Sequence, residues 1–100
     1  MATVYVTMSA FGTRGATGDA AMVVNGPFRS ETITSSGTTA AGNMAAGKGE
    51  VATINCATAV YVTNAATPTA TATTGAYIPG GIPVSIAMNA GDKIAVIDPA

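Results

Sequence analysis

The feature that most constrains this chain is the kind of apolar residue it uses. Its larger apolar side chains are mostly Val and Ile, Leu is absent, and Gly or Pro interrupts nearly every run before three helical turns could form. β-Branched residues lose rotamer freedom in a helix and pack well on a pleated surface, so this vocabulary disfavours helix and predicts strands. The longest uninterrupted stretch, Glu50 to Thr67, holds Val51, Thr53, Ile54, Thr58, Val60, Val62 and Thr63. It has strand composition.

Period-two alternation is clearest near the two ends. Val4, Val6 and Met8 share one face while Thr3, Tyr5 and Thr7 share the other; later, Ile82, Val84, Ile86 and Met88 oppose Pro83, Ser85, Ala87 and Asn89. Between them, strands are predicted at Ala20 to Val24, Phe28 to Thr34, Glu50 to Cys56, Ala59 to Thr63, Thr69 to Tyr77 and Lys93 to Ile97. Asn25-Gly26 reads as a tight hairpin turn, Asn89-Ala90-Gly91-Asp92 as a second reversal, and Pro79-Gly80-Gly81 as a chain break. The expected fold is all-β, a single domain over residues 1–100 forming a small antiparallel β-sandwich or barrel, jelly-roll-like, of about six to eight short strands. Two longer loops, at about 11–19 and 35–49, are Gly-, Ser-, Thr- and Ala-rich, and are expected to order on a partner. Thr67 to Thr74 alternates small residues and is expected to be an extended edge strand.

Composition then narrows function. Ala, Thr and Gly number 21, 16 and 12 among 100 residues, His is absent and Cys56 is the only cysteine. The side chains most used for proton transfer, nucleophilic attack and zinc binding are therefore scarce, which predicts a non-enzyme with no cofactor and no metal. Only nine residues are charged, scattered without a basic stripe, so neither nucleic acid nor membrane is an expected partner. The N-terminus shows no basic segment followed by an apolar one, and no run approaches a membrane span, so export is not expected.

Individual motifs weigh little. Gly42-Asn43-Met44-Ala45-Ala46-Gly47-Lys48 matches a phosphate-binding loop, but Gly49 stands where the Mg²⁺-holding hydroxyl belongs, and strand-like sequence follows instead of a helix. Gly47, Gly49 and Ala52 fit a dinucleotide fingerprint without a βαβ unit around it. Cys56 reads as a small buried hydrophobe, since no His is present to activate it. Glu31 and Glu50 are the candidates for a glycosidase pair, with a solvated or salt-bridged role favoured. Asp92 is accounted for by turn hydrogen bonds without calcium. Tyr5, Tyr61 and Tyr77 suit cross-strand packing better than a sugar-stacking platform.

From Val51 to Pro99 the chain has a rhythm of Cys56, Ala59-Val60-Tyr61-Val62, Ala66-Thr67-Pro68-Thr69-Ala70-Thr71-Ala72, Tyr77-Ile78-Pro79-Gly80-Gly81, Ile86 and Gly91-Asp92-Lys93-Ile94-Ala95-Val96-Ile97. This half of the sequence resembles small β-rich proteins encoded among the structural genes of tailed bacteriophages. The resemblance implies a virion protein, with head decoration or cement proteins closest in size, assembled in the host cytoplasm and located on the capsid surface. It implies the major capsid protein as partner, with self-association, preferably as a trimer. The docking candidates are Phe11 and Arg14 in the first loop and Asn43, Met44 and Lys48 in the second. The alternative is a head-fibre or tail adhesin module that binds host-surface glycans.

Overall fold

Every regular element in the computed structural model is a strand; the structure describes residues 2–14, 21–71 and 73–99. The strands are β1 (Thr3–Arg14), β2 (Ala21–Thr34), β3 (Ala40–Ala41), β4 (Glu50–Cys56), β5 (Val60–Ala65), β6 (Ala76–Ile78), β7 (Val84–Ala87) and β8 (Lys93–Ile97). They form two four-stranded antiparallel sheets, the first in the order β2-β1-β4-β7 and the second in the order β3-β8-β5-β6. The two sheets pack as a β-sandwich around one core.

Alternation builds that core. Val4, Val6 and Met8 of β1, Ile33 of β2, and Ala52, Ile54 and Cys56 of β4 turn inward from the first sheet. Val60 and Val62 of β5, Ile78 of β6, and Ile94 and Val96 of β8 meet them from the second. Each buried Val or Ile contributes about 1.5–3 kcal/mol, so two thin layers of branched side chains suffice without Leu or Trp. Val84 and Ile86 of β7 close the edge, with Met88 beyond them.

Expected and observed elements differ in several places, beyond the short strand β3 that pairs with β8 inside the loop expected at 35–49. Asn25-Gly26 is not a hairpin turn: β2 runs through it, and between the pairs Met8–Arg29 and Ala10–Asn25 one residue of β1, Ser9, is set against three of β2, Gly26, Pro27 and Phe28. The irregularity takes in Pro27, which has no N–H to give to a ladder and is confined to such places. Phe11 to Arg14, expected in a loop, continue β1 and pair with Val24 to Ala21. The rest of that expected loop, Gly15 to Asp19, lies outside the described residues.

The third difference is the stretch expected as a strand from Thr69 to Tyr77, where only Ala76–Ile78 is strand. Thr71 Oγ1 accepts the Thr74 N–H at 3.1 Å and lies 2.6 Å from Thr74 Oγ1, while the Gly75 N–H reaches the Thr71 carbonyl at 2.9 Å. Threonine's hydroxyl thus closes a local turn that outcompetes its strand preference. Fourth, Ile82, expected on the inward face of its strand, is 56% exposed. It precedes Pro83 in the turn where Gly81 has φ +80° and donates its N–H to the Cys56 carbonyl.

Candidate functional site

The outward-facing residues of the first sheet form a broad surface of uncharged hydrogen-bonding groups. Alternation places Thr3, Tyr5 and Thr7 of β1, Ser30, Thr32 and Thr34 of β2, Thr53 and Asn55 of β4, and Ser85 of β7 on this side. The register aligns Ser30, Thr7, Thr53 and Ser85 as direct neighbours, one from each strand, in a row across the whole sheet. Their hydroxyls approach in pairs, Thr7 with Ser30 at 3.3 Å and Thr53 with Ser85 at 3.0 Å. In the next row Tyr5 sits between Thr32 and Asn55, its ring 55% exposed.

The second sheet is different on its outer side. Ala95, which alternation points outward, is fully buried, as is Ala70 in the connection from β5 to β6. The Ala70 N–H donates to Thr39 Oγ1 at 2.8 Å, so this connection passes across β8 to reach the segment before β3. It returns against β5 at Gly75, where a Cβ would lie 3.0 Å from the Tyr61 Cβ and 2.8 Å from the Thr71 carbonyl oxygen; only glycine fits that approach. Tyr61 and Tyr77, direct partners across β5 and β6, meet edge to face with ring centroids 5.4 Å apart. Cross-strand packing thus accounts for two of the three tyrosines, and Tyr5 lies apart on the other sheet.

The connection containing Asn43, Met44 and Lys48 is fastened to the sandwich. The Glu31 carboxylate on β2 accepts the N–H groups of Asn43 at 3.0 Å and Met44 at 3.2 Å, and a Cβ at Gly42 would collide with it. Arg29 pairs with Glu50 and donates to the Ala45 carbonyl at 3.1 Å, while Glu50 also accepts the Gly47 N–H. Most of the backbone donors that a phosphate would need in Gly42 to Lys48 are therefore occupied, those of Asn43, Met44 and Gly47 by the chain's own carboxylates and those of Gly42 and Ala46 by the carbonyls of Ile94 and Asp92. Glu31 and Glu50 are structural anchors here: Glu50 takes the salt-bridged role expected of it, whereas Glu31 accepts backbone N–H groups. Met44 packs against the core, whereas Asn43 and Lys48 are exposed. Phe11 follows Ala10, the partner of Glu50, so β1 leaves β4 beside the end of this connection, and Arg14 lies three residues further along the strand.

Near the chain ends a hydrogen-bonded seam joins the sheets. Ser35, completely buried, accepts the Ala2 N–H at 2.8 Å and donates its hydroxyl to Asp98, which follows β8. Its own N–H reaches the Ala2 carbonyl at 2.8 Å, and the Asp98 N–H reaches the Ser36 carbonyl at the same distance. The Ser35 hydroxyl holds the Asp98 carboxyl below its ordinary pKa. A depression of about 400 Å³ beside this seam is lined by Thr58, Ala59, Asp98 and Pro99, and a smaller one of about 220 Å³ by Gly49, Glu50, Val51, Ala87 and Met88.

Burial pushes the Cys56 thiol up from its ordinary pKa, as suits a core residue rather than a nucleophile. Asp92 accepts the Asn89 N–H at 3.1 Å and the Asn64 side-chain amide at 2.9 Å, and Gly91 adopts φ +88°, which makes the reversal before β8 a side-chain-locked turn. Among the described residues no group of three His, Cys, Asp or Glu side chains is placed to hold a metal, and no helix is long and apolar enough to cross a membrane. No family model matches the sequence, and neither curated proteins nor solved structures give a significant match.

The hydroxyl surface was only partly legible from sequence. Thr3, Tyr5 and Thr7 stand out as one outward face, but the row across four strands depends on pairings between residues as far apart as Thr7 and Thr53, and Thr53 and Ser85.

Proposed function

We propose that the protein is a structural component of a phage virion, a decoration or cement protein that binds the outer surface of the head and stabilises capsomer junctions. The observation that carries this reading is the uneven pairing of β1. Val4 to Ala10 are bonded to β4 on one side and β2 on the other, whereas Phe11 to Arg14 pair with β2 alone among the described residues. A two-stranded ribbon with open backbone edges among the described residues therefore extends from a sandwich whose body is fastened by the Arg29–Glu50 ion pair and the terminal seam. The molecule is correspondingly elongated, 47 Å by 26 Å by 22 Å.

Open strand edges accept a further strand, and a ribbon of this kind suits the task of reaching a neighbouring capsid subunit. Weak charge suits close packing against a protein shell, and many equivalent sites on a symmetric shell let modest contacts add. The major capsid protein is the partner in this reading, and a trimer the preferred state of self-association. The resemblance of Val51 to Pro99 to phage structural proteins supports the same assignment. An adhesin role is the second reading, favoured by the exposure of Tyr5 on a hydroxyl surface.

The test uses purified protein and expanded, undecorated heads of the phage that encodes it. Saturable, stoichiometric binding is expected, and it should fail in a variant whose residues 11–24 are replaced by an Asn-Gly turn, a replacement that joins Ala10 to its partner Asn25. Absence of shell binding, or equal binding by the shortened variant with its melting transition intact, overturns the assignment.

A further inference from the structure

We propose that the outer face of the first sheet binds a neutral carbohydrate, with Tyr5 as the stacking centre. This deepens the adhesin reading, by naming its site and ligand class, and does not require a role on the capsid.

The ring comes first. Tyr5 is on β1, an interior strand of its sheet, and its direct partners are Thr32 and Asn55, with Thr3 and Thr7 next to it on the same face. One exposed aromatic ring is thus framed on four sides by hydroxyl and amide groups. Tyr77 on the second sheet is as exposed, at 57%, but its ring packs against Tyr61. Exposure alone does not distinguish the two; the surroundings do.

Charge comes second. Among the described residues of this face no side chain is ionised: Arg29 and Glu31 alternate to the other side of β2, where they hold the 42–50 connection. A phosphate-bearing or acidic polymer would find no cation to pair with, and the salt-dependent attraction that nucleic-acid binding requires is missing. Apolar matter is limited to the Tyr5 ring, Ala87, the buried Val51 and Phe28, which is 60% exposed and which alternation puts on the same side four residues along β2 from Thr32, the partner of Tyr5, so that the two exposed rings form no contiguous patch. A lipid or a protein hot spot needs a desolvated apolar centre that this surface lacks.

A pyranose has the complementary chemistry. It offers a C–H face to an aromatic ring and a rim of uncharged hydroxyls that both donate and accept. Threonine, serine and tyrosine hydroxyls and the Asn55 amide do the same. The strands are spaced about 4.8 Å apart, so Ser30, Thr7, Thr53 and Ser85 repeat hydrogen-bonding groups along a line beside the ring, suited to successive residues of a chain rather than to one sugar. Each neutral hydrogen bond gains only about 0.5–1.5 kcal/mol over water, so a polysaccharide that engages several is the expected ligand and a monosaccharide is not.

The experiment is affinity electrophoresis of the intact protein through gels containing neutral glucans, mannans or galactans, with heparin and hyaluronate as charged comparators. Retardation by at least one neutral polysaccharide and by neither charged one is expected. Tyr5→Ala should weaken it about fivefold or more, whereas Tyr77→Ala should leave it unchanged; both positions are exposed, and thermal melts establish that each variant folds. The proposal is overturned if no neutral polysaccharide retards the protein, if Tyr5→Ala and Tyr77→Ala act alike, or if Tyr5→Ala instead dissociates an oligomer, which would make this face a contact between copies. Shell binding measured on the same variant keeps the two readings separate: intact shell binding without glycan retardation sinks only this inference.

Discussion

The two sheets of the sandwich use the same small residues on their outer sides and arrive at opposite surfaces. On the second sheet, Ala95 and Thr63 leave so little relief that the 66–75 connection settles onto them, burying Ala70 and Ala95. Thr63 Oγ1 is left buried without a hydrogen-bond partner among the described residues, a cost that the covering layer must offset. On the first sheet, Thr7, Ser30, Thr53 and Ser85 satisfy one another in pairs and stay open to water, and burial is confined to the next outward pair, Ser9 and Val51, where the Ser9 hydroxyl also lacks a partner among the described residues. Alanine and threonine do not by themselves decide whether a face is covered. What decides it is whether a connection nearby can satisfy its own backbone while crossing, as Thr71 allows Thr74 and Gly75 to do.

The sharpest way to break this contrast is to enlarge the floor under the strap. Ala95→Leu should destabilise the protein by about 1–3 kcal/mol, because the added methylenes must displace the connection or force strained rotamers. For a domain of this size that lowers the melting temperature by about 4–8 °C per kcal/mol. A silent Ala95→Leu would mean that the connection does not pack there at all.

A smaller effect is expected from the strap's own turn. Thr71→Val keeps the branched shape but removes the oxygen that accepts the Thr74 N–H, at an expected cost of about 0.5–1.5 kcal/mol. Hydrogen exchange should accelerate at Thr74 and Gly75 and remain slow in β4. Uniform acceleration would show that the strap and the sheets open together as one unit.

How much of this was visible in the sequence depended on how local the deciding interaction was. Glu50–Cys56 and Lys93–Ile97 could be bounded correctly because their punctuation, Gly49 and Asp92, stands beside them. Asn25-Gly26 could not, since the same dipeptide serves a turn or a bulge and only pairing with β1 selects between them. Thr67 to Thr74 misled because strand preference and hydroxyl-closed turns both favour threonine. Glu31 appeared as a lone acid, yet it holds N–H groups of Asn43 and Met44, on a separate connection. The hydroxyl row was the least legible feature, as it exists only once four strands are in register.

The terminal seam couples the two faces and should respond to acid. Because the Ser35 hydroxyl depresses the Asp98 carboxyl in the folded state, Asp98 stabilises the protein above its ordinary value of 3.8, and that contribution is lost as pH falls through the lower folded value. Melting temperatures followed downward through the carboxylate range should therefore decline less steeply in Asp98→Asn than in the wild type. Asp98 is exposed enough for the difference to be modest, and equal slopes would mean that the seam does not sense its charge.

The smallest effect on stability is expected where the contrast matters most for function. Thr53→Val removes a hydroxyl 3.0 Å from that of Ser85 but leaves the strand's branched shape, and water can take the place of the lost partner. Stability should change by no more than about 0.5 kcal/mol. Retardation by a neutral polysaccharide should nevertheless fall, because an apolar methyl would interrupt the row beside Tyr5 without supplying a donor or acceptor. If Thr53→Val destabilised the protein as much as Ala95→Leu, the hydroxyl row would be part of the framework, as the strap is, and the open face would have no claim to be a surface kept for something else.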